Sequence, residues 1–382
     1  MDRLNLKMTR QRANWTVALL SVICLCIFTY LFTQWQQNGT LLPVWEDSLL
    51  AGDEQVDGTY FTLYDQDTNE IIEEMSRKVF VGDELLTGDN KHYRVTKIDG
   101  QNVYCELLEQ RQMQKVLAEL QAAAKTVSAG DNTNNGGAFR SVAIYCTHTD
   151  ESYVPTSGTE SKKGGGDILD VATTMAAVLE DQGIEVIHSD NIHDPHDVNA
   201  YQRSRKTAAE LLQEAPAAII DVHRDGVPDP DYYATELDGK PATQIRLVVG
   251  RQNQNSEANI DFAEKMKVYY DEVKPGLIKS IFMAKGNYNQ DLAPNSVLLE
   301  VGTHTNSLEQ AEVSAKAFAE ELPQFLGLKN AAQQPEAAGQ TQAQDKADKK
   351  MSGTSKAILW LVGIAIVGGL GFLLISRGSL KR

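Results

Sequence analysis

Cysteine, histidine and positive charge are all scarce in this chain. Four cysteines occur in 382 residues, and no two of them form a Cys-x-x-Cys pair. That excludes a zinc ribbon and a dithiol redox motif. Cys24 and Cys26 fall inside an apolar run, while Cys105 and Cys146 stand in separate regions. Buried free thiols are the expected state of the latter two, with a Cys105–Cys146 bridge as the alternative. Lysine and arginine number 36 against 52 aspartate and glutamate, for a formal net charge of −16. The imbalance lies in the middle: residues 1–33 and 357–382 each carry +3, which leaves −22 for residues 34–356. So acidic a body excludes nucleic acid as a partner. Histidines number 7, so two that share a setting carry weight.

Long apolar runs are present twice. Trp15–Phe32 is an uncharged stretch of 18 residues and Ala357–Ser376 one of 20. Each is long enough to cross about 30 Å of hydrocarbon as a helix. Thr33-Gln34-Trp35 follows the first run with no small-x-small cleavage site, so an uncleaved anchor is expected. The positive flanks place both termini in the cytoplasm and the acidic middle outside the membrane. Trp15, Trp35 and Trp360 sit at the run ends as interfacial aromatics do. The expected order is therefore a cytoplasmic N-terminus at 1–14, a membrane helix at 15–32, a soluble body, a second membrane helix at 357–376 and a short cytoplasmic tail at 377–382.

Inside the body, residues 57–108 read as short strands and turns. Tyr60–Tyr64 alternates, Lys78–Val81 stops at Gly82-Asp83, and Tyr93–Ile98 runs into Asp99-Gly100 before Asn102–Cys105. This is a small all-β module, accessory or docking in role, or a spacer. Residues 109–140 are a helical and then flexible linker, with AGDNTNNGG at Ala129–Gly137. Residues 329–356 are an Ala/Gln-rich disordered tether. From 141 to 328 strands alternate with amphipathic helices, such as Asp167–Gln182 closed by Gly183. That alternation predicts an α/β domain with a mainly parallel sheet and helices on both faces. Leu308–Leu322 is its closing helix, stopped or kinked by Pro323.

Three apolar strands in this domain end in side chains that bind metals or transfer protons. Ser141–Cys146 runs into Thr147-His148, Ala217–Val222 into His223, and Val297–Leu299 into Glu300. Chemistry in open α/β sheets sits just beyond the carboxyl ends of strands. Two histidines there suit a zinc hydrolase, which needs a third protein ligand. Glu160, ahead of the Asp167–Gln182 helix, is the preferred third ligand. Asp167 is its competitor, with a helix N-cap as its ordinary role. Glu300 is the general base, unless it is paired with Arg203, Arg205 or Arg224. His188, His193 and His196 form a second cluster in a loop of Asp, Asn and Pro. His304 is a hydrogen-bonder for substrate. Tyr288, Asn289 and Gln290 are candidates to line a groove, Arg203 and Arg205 to pair with substrate carboxylates, and Arg224 or His304 to help stabilise an oxyanion.

The segments THTDESYVP (147–155), AYQRSR (200–205), DVHRD (221–225), YNQDL (288–292) and LLEVGTHTN (298–306) resemble the stage II sporulation protein P family. That family is related to the zinc-dependent N-acetylmuramoyl-L-alanine amidases. The resemblance implies an amidase-like fold, Zn2+ as cofactor and peptidoglycan as substrate. It implies cleavage of the amide between N-acetylmuramic acid and L-alanine, with endopeptidase action on stem peptides also attributed to the family. It implies work at the sporulation septum during engulfment, with stage II sporulation proteins D and M as partners. Residue by residue it makes His148 and His223 the metal histidines and Glu300 the catalytic glutamate. A stem-peptide endopeptidase and a non-catalytic wall-binding scaffold stay open as alternatives.

Overall fold

A computed structural model describes residues 58–113, 116–118, 141–197 and 199–328. Its strands are β1 (Phe61–Asp65), β2 (Ile71–Met75), β3 (Glu84–Leu86), β4 (Lys91–Asp99), β5 (Asn102–Gln110), β6 (Ser141–Tyr145), β7 (Glu185–His188), β8 (Ala218–Asp225), β9 (Ala234–Leu237), β10 (Lys240–Thr243), β11 (Ile245–Gly250), β12 (Ile278–Ala284) and β13 (Ser296–Thr303). Its α-helices are α1 (Val154–Ser157), α2 (Ile168–Asp181), α3 (Ala200–Leu211), α4 (Ser256–Val273) and α5 (Leu308–Phe325). The two expected membrane spans, 15–32 and 357–376, lie outside the described residues, as do the tether and most of the 109–140 linker. Among the described residues no helix is long and apolar enough to cross a membrane.

All strands but the β9–β10 hairpin join one 11-stranded sheet, in the order β2-β1-β5-β4-β3-β12-β11-β13-β8-β6-β7. From β13 through β8 and β6 to β7 every pairing is parallel. β11 runs parallel to β12 but antiparallel to β13. With the mostly antiparallel N-terminal strands added, the sheet is mixed rather than mainly parallel.

The apolar strands are buried on both faces, as their unbroken hydrophobic runs require. Val142 and Ile144 of β6, with Ile220 and Val222 of β8, pack in one core with α2, α4 and α5. Ala143, Tyr145 and Ile219 point the other way, onto Ala208 and Leu211 of α3. Helices thus cover both faces, but α3 covers only part of the second. The rest is covered by the chain's own N-terminal strands: Leu63, Val95, Val103 and Cys105 pack on Val248, Phe282 and Leu298. The expected separation of a β module at 57–108 from the α/β domain is therefore not a separation in the sheet. β3 pairs with β12, and β1, β4 and β5 share a core with β11, β12 and β13.

Two local expectations are corrected. Lys78–Val81 is not a strand, and the antiparallel partner of β1 is Ile71–Met75. There Asp83 accepts from the Phe80 amide, and Val81 is exposed. The last helix does not stop at Pro323 but runs through it to Phe325. Proline leaves the carbonyl one turn back without its donor, and Gln182 Nε2 donates to that carbonyl, of Ala319, at 3.3 Å. Cys105 and Cys146 are both free and buried.

Candidate metal centre

The site forms where the chain leaves β6. The Thr147 amide and hydroxyl both donate to Asp221 on β8, at 2.7 and 2.6 Å. This ties the end of β6 to β8 and brings His148 beside His223. The rings meet edge to face with centroids 4.8 Å apart. The chain then turns, and Glu151 swings its carboxylate between the two imidazoles. Glu151 Oε1 lies 3.0 Å from His148 Nδ1 and 3.2 Å from His223 Nδ1. Its other oxygen accepts from the Arg224 amide at 2.9 Å. All three side chains have no solvent exposure.

Two neutral-capable nitrogens and one carboxylate oxygen fit zinc. With bonds of about 2.0–2.2 Å, tetrahedral geometry sets neighbouring ligand atoms about 3.3 Å apart. The observed 3.0 and 3.2 Å separations approach that edge. Among the described residues, His148, Glu151 and His223 are also the group of His, Cys, Asp and Glu side chains whose ligand atoms converge within 4.8 Å. The far nitrogen of His223 lies 3.1 Å from Asp221 Oδ1, a charge contact that falls short of hydrogen-bond geometry.

The electrostatics suit a cation. Burial pushes the Glu151 carboxyl upward, yet His223 and His148 hold it well below the ordinary range. Burial and the neighbouring His196 hold His148 low, so its imidazole is neutral. Against its own burial, His223 is raised to about 10 by Asp221 and Glu151. Two carboxylates around one buried ring stabilise positive charge there, whether a proton or a metal supplies it.

Glu300 stands directly opposite His223 in the parallel β13–β8 register, so both side chains leave the same face of the sheet. Arg77, just past the end of β2, donates through Nε at 3.1 Å and through Nη2 to the same oxygen, Oε1. Glu300 Oε2 is buried and has no hydrogen-bond partner among the described residues. The ion pair weighed for Glu300 therefore exists, but with Arg77 rather than Arg203, Arg205 or Arg224.

The remaining expected site residues lie elsewhere. Glu160 is not in the converging group: its side chain is 55% exposed and stands 3.9 Å from His304. Asp167 precedes α2 as expected, but it accepts from the Tyr153 amide and the Ser157 hydroxyl, 3.0 and 2.5 Å away. The Arg224 guanidinium donates to the carbonyls of Ser152 and Glu160. Arg203 pins the loop 193–197 through the carbonyl of His193 and the carboxylate of Asp197. Tyr288 is buried, with the Arg77 guanidinium 5.4 Å from its ring centroid. Asn289 donates to the Tyr201 carbonyl and Ser204 hydroxyl, and Gln290 bonds both Gly250 and Val248. Asn289 and Gln290 thus serve the interior, where polar groups must be paired, while the Tyr288 hydroxyl is buried without a hydrogen-bond partner among the described residues. Of the second histidine cluster, His193 is hydrogen-bonded to Cys146 and Thr207, while His196 stacks on His148 with centroids 3.6 Å apart.

Residues absent from the sequence-based set complete the site: Glu151, Asp221, Arg77 and Tyr201. Glu151 had a usable signal, a carboxylate three residues after His148 in the polar run that ends β6. Its backbone is held by Gly166. A Cβ there would stand 2.2 Å from the Glu151 carbonyl oxygen and 2.6 Å from that of Asp150. Gly166→Ala is expected to cost about 1–3 kcal/mol by forcing the 149–151 segment outward and to weaken metal binding. Urea unfolding and zinc titration check both effects, and an unchanged zinc affinity would uncouple Gly166 from the site.

A mixed α/β sheet with a buried two-histidine, one-carboxylate centre and a glutamate on the adjacent strand defines the class. A family model described as stage II sporulation protein P matches residues 74–322, and the chain belongs to that family. It is 30% identical over 198 residues to stage II sporulation protein P of Bacillus subtilis, covering 47% of this chain and 49% of that protein. The chain thus spans about half the length of this curated relative. Among solved structures it is similar to the CwlD amidase from Clostridioides difficile, in a complex with the GerS lipoprotein. The identity there is 14% and the TM-score 0.34, over 49% of this chain and 98% of that one.

Proposed function

We propose that this chain is a membrane-anchored, zinc-dependent peptidoglycan hydrolase, an N-acetylmuramoyl-L-alanine amidase acting on septal wall during sporulation. The observation that carries the reading is the convergence of His148, Glu151 and His223 one strand away from Glu300. His148, Glu151 and His223 would hold the zinc. When bound, the ion supplies a Lewis acid for the scissile carbonyl and lowers the pKa of water toward about 7. Glu300 takes the proton from the attacking water as the bond to the lactyl carbonyl carbon of muramic acid forms. As the carbon–nitrogen bond breaks, Glu300 returns the proton to the departing L-alanine nitrogen. The membrane spans at 15–32 and 357–376 would hold the acidic body outside the cytoplasmic face, with stage II sporulation proteins D and M as partners.

The test is mass spectrometry of purified sacculi digested by the detergent-solubilised full chain. Stem peptides with a free L-alanine amine, lost on chelation and regained with zinc, are the expected products. New termini only within the stem peptide would make it an endopeptidase. No new termini in the presence of stoichiometric zinc would leave a wall-binding scaffold.

A further inference from the structure

The segment Glu73–Arg77 reaches the centre from the N-terminal strands, and an elaborate set of contacts fixes where it ends. Arg246, with 1% of its side chain exposed, donates to Glu73 Oε1 at 2.7 Å and to the Glu74 carbonyl at 2.6 Å. It also pairs with Asp225, the residue two past His223 on β8. Asp225 in turn accepts from the Ser76 amide at 3.0 Å and the Ser76 hydroxyl at 2.7 Å, and from Tyr233 at 2.7 Å. The end of β2 is thereby bolted to the strand that carries a metal-site histidine. Arg77 is the next residue.

Its guanidinium has its own seat. Nη1 lies 3.4 Å from the Tyr201 hydroxyl, and the Tyr288 ring lies beneath the group. Nε and Nη2 both converge on Glu300 Oε1. The usual arginine–carboxylate fork places one N–H on each oxygen. Here both fall on one oxygen, and the other, Oε2, is buried without a partner among the described residues. A clamp that served only to neutralise Glu300 would gain more by using both. This one restrains the carboxylate and leaves one oxygen for another contact.

We propose that Arg77 is a positioning residue that holds Glu300 by Oε1 so that Oε2 exchanges the proton with water and leaving group. The inference rests on the hydrolase reading above. It makes the end of β2 a working part of the centre, so that residues from both the N-terminal strands and the α/β part build one site.

The test uses the full chain with a soluble N-acetylmuramoyl peptide and follows kcat, KM, zinc content and melting temperature together. Arg77→Gln is expected to lower kcat about 100-fold, within the range of a general base put out of place, with KM within about threefold and zinc stoichiometric. Arg77→Lys keeps the charge but not the fork and should lose about tenfold in kcat. A folded Arg77→Gln with wild-type or raised kcat would overturn the proposal, the latter showing that Arg77 restrains Glu300 from acting. If Arg77→Gln does not fold, Arg77→Lys decides: wild-type kcat overturns the proposal, and a tenfold drop at constant KM supports it. A wild-type chain that binds zinc but leaves the peptide intact removes the hydrolase reading, and this one with it.

Discussion

Glu300→Gln is expected to reduce hydrolysis of wall amides by about 10²- to 10⁴-fold, the range over which a positioned base contributes. Zinc content should stay at the wild-type level, because Glu300 is not among the converging ligands. The substitution is chosen for its shape. A glutamine carbonyl can still accept from Arg77, which places its amide where Oε2 stands, and an amide takes no proton from water. It also removes a buried charge from beside Arg77, and both side chains are 3% exposed. Removing one partner of a buried ion pair costs about 3–5 kcal/mol, so the melting temperature should fall measurably. Rate, metal content and melting curve must be read on one preparation. A folded, zinc-loaded variant that keeps more than a tenth of the wild-type rate would falsify the assignment of the base.

What could be read in the sequence was what strand composition controls. His148, His223 and Glu300 each end an apolar run, and such runs become strands buried on both faces, with their ends facing a common edge. Glu151 is hidden in the sequence for a different reason. By position along the chain, Glu160 and Asp167, ahead of the α2 helix, are the carboxylates that suggest a ligand. The geometry is decided instead by a turn that folds Glu151 back on His148 within three residues. That turn depends on the Thr147–Asp221 contacts and on Gly166 lying against the backbone, and both are long-range. The polar residues Tyr288, Asn289 and Gln290 of YNQDL are suited by type to lining a glycan groove, and Arg203 and Arg205 of AYQRSR to pairing with carboxylates. Asn289 and Gln290 meet buried backbone groups, a role that sequence alone does not separate from substrate contact.

Of the N-terminal strands, β1, β4 and β5 were legible as strands but not as part of this sheet, and β2 and β3 were not legible at all. Alternation in Tyr93–Ile98 and the turn at Asp99-Gly100 are local. Which exposed edge they pair with is not. β12 would end the sheet with unpaired amides and carbonyls, and β3 covers it. The charged residues Glu73 and Arg77 carry no local sign of burial. They are instead drawn inward by Arg246 and Glu300, charges from more than 160 positions away.

Glu151→Ala should abolish stoichiometric zinc, whereas Glu160→Ala should leave it intact. The pair separates the carboxylate that the structure brings between the two imidazoles from the one that the sequence favoured. Losing an outer residue that only orients a ligand costs about 10- to 100-fold in metal affinity; losing the ligand itself should cost more. Glu151→Ala also strips both imidazoles of the carboxylate between them and leaves the Arg224 amide without its acceptor. The metal-free variant should therefore melt below metal-free wild type, and added zinc should raise its melting temperature far less. Glu160, more than half exposed, has no comparable burden, so its removal should change neither quantity. Asp167→Ala gives the third arm. It should lower stability through the lost Tyr153 and Ser157 bonds while zinc still binds. Zinc lost on removal of Glu160 and kept on removal of Glu151 would mean that the centre rearranges when metal enters, with the loop at 158–166 closing over it.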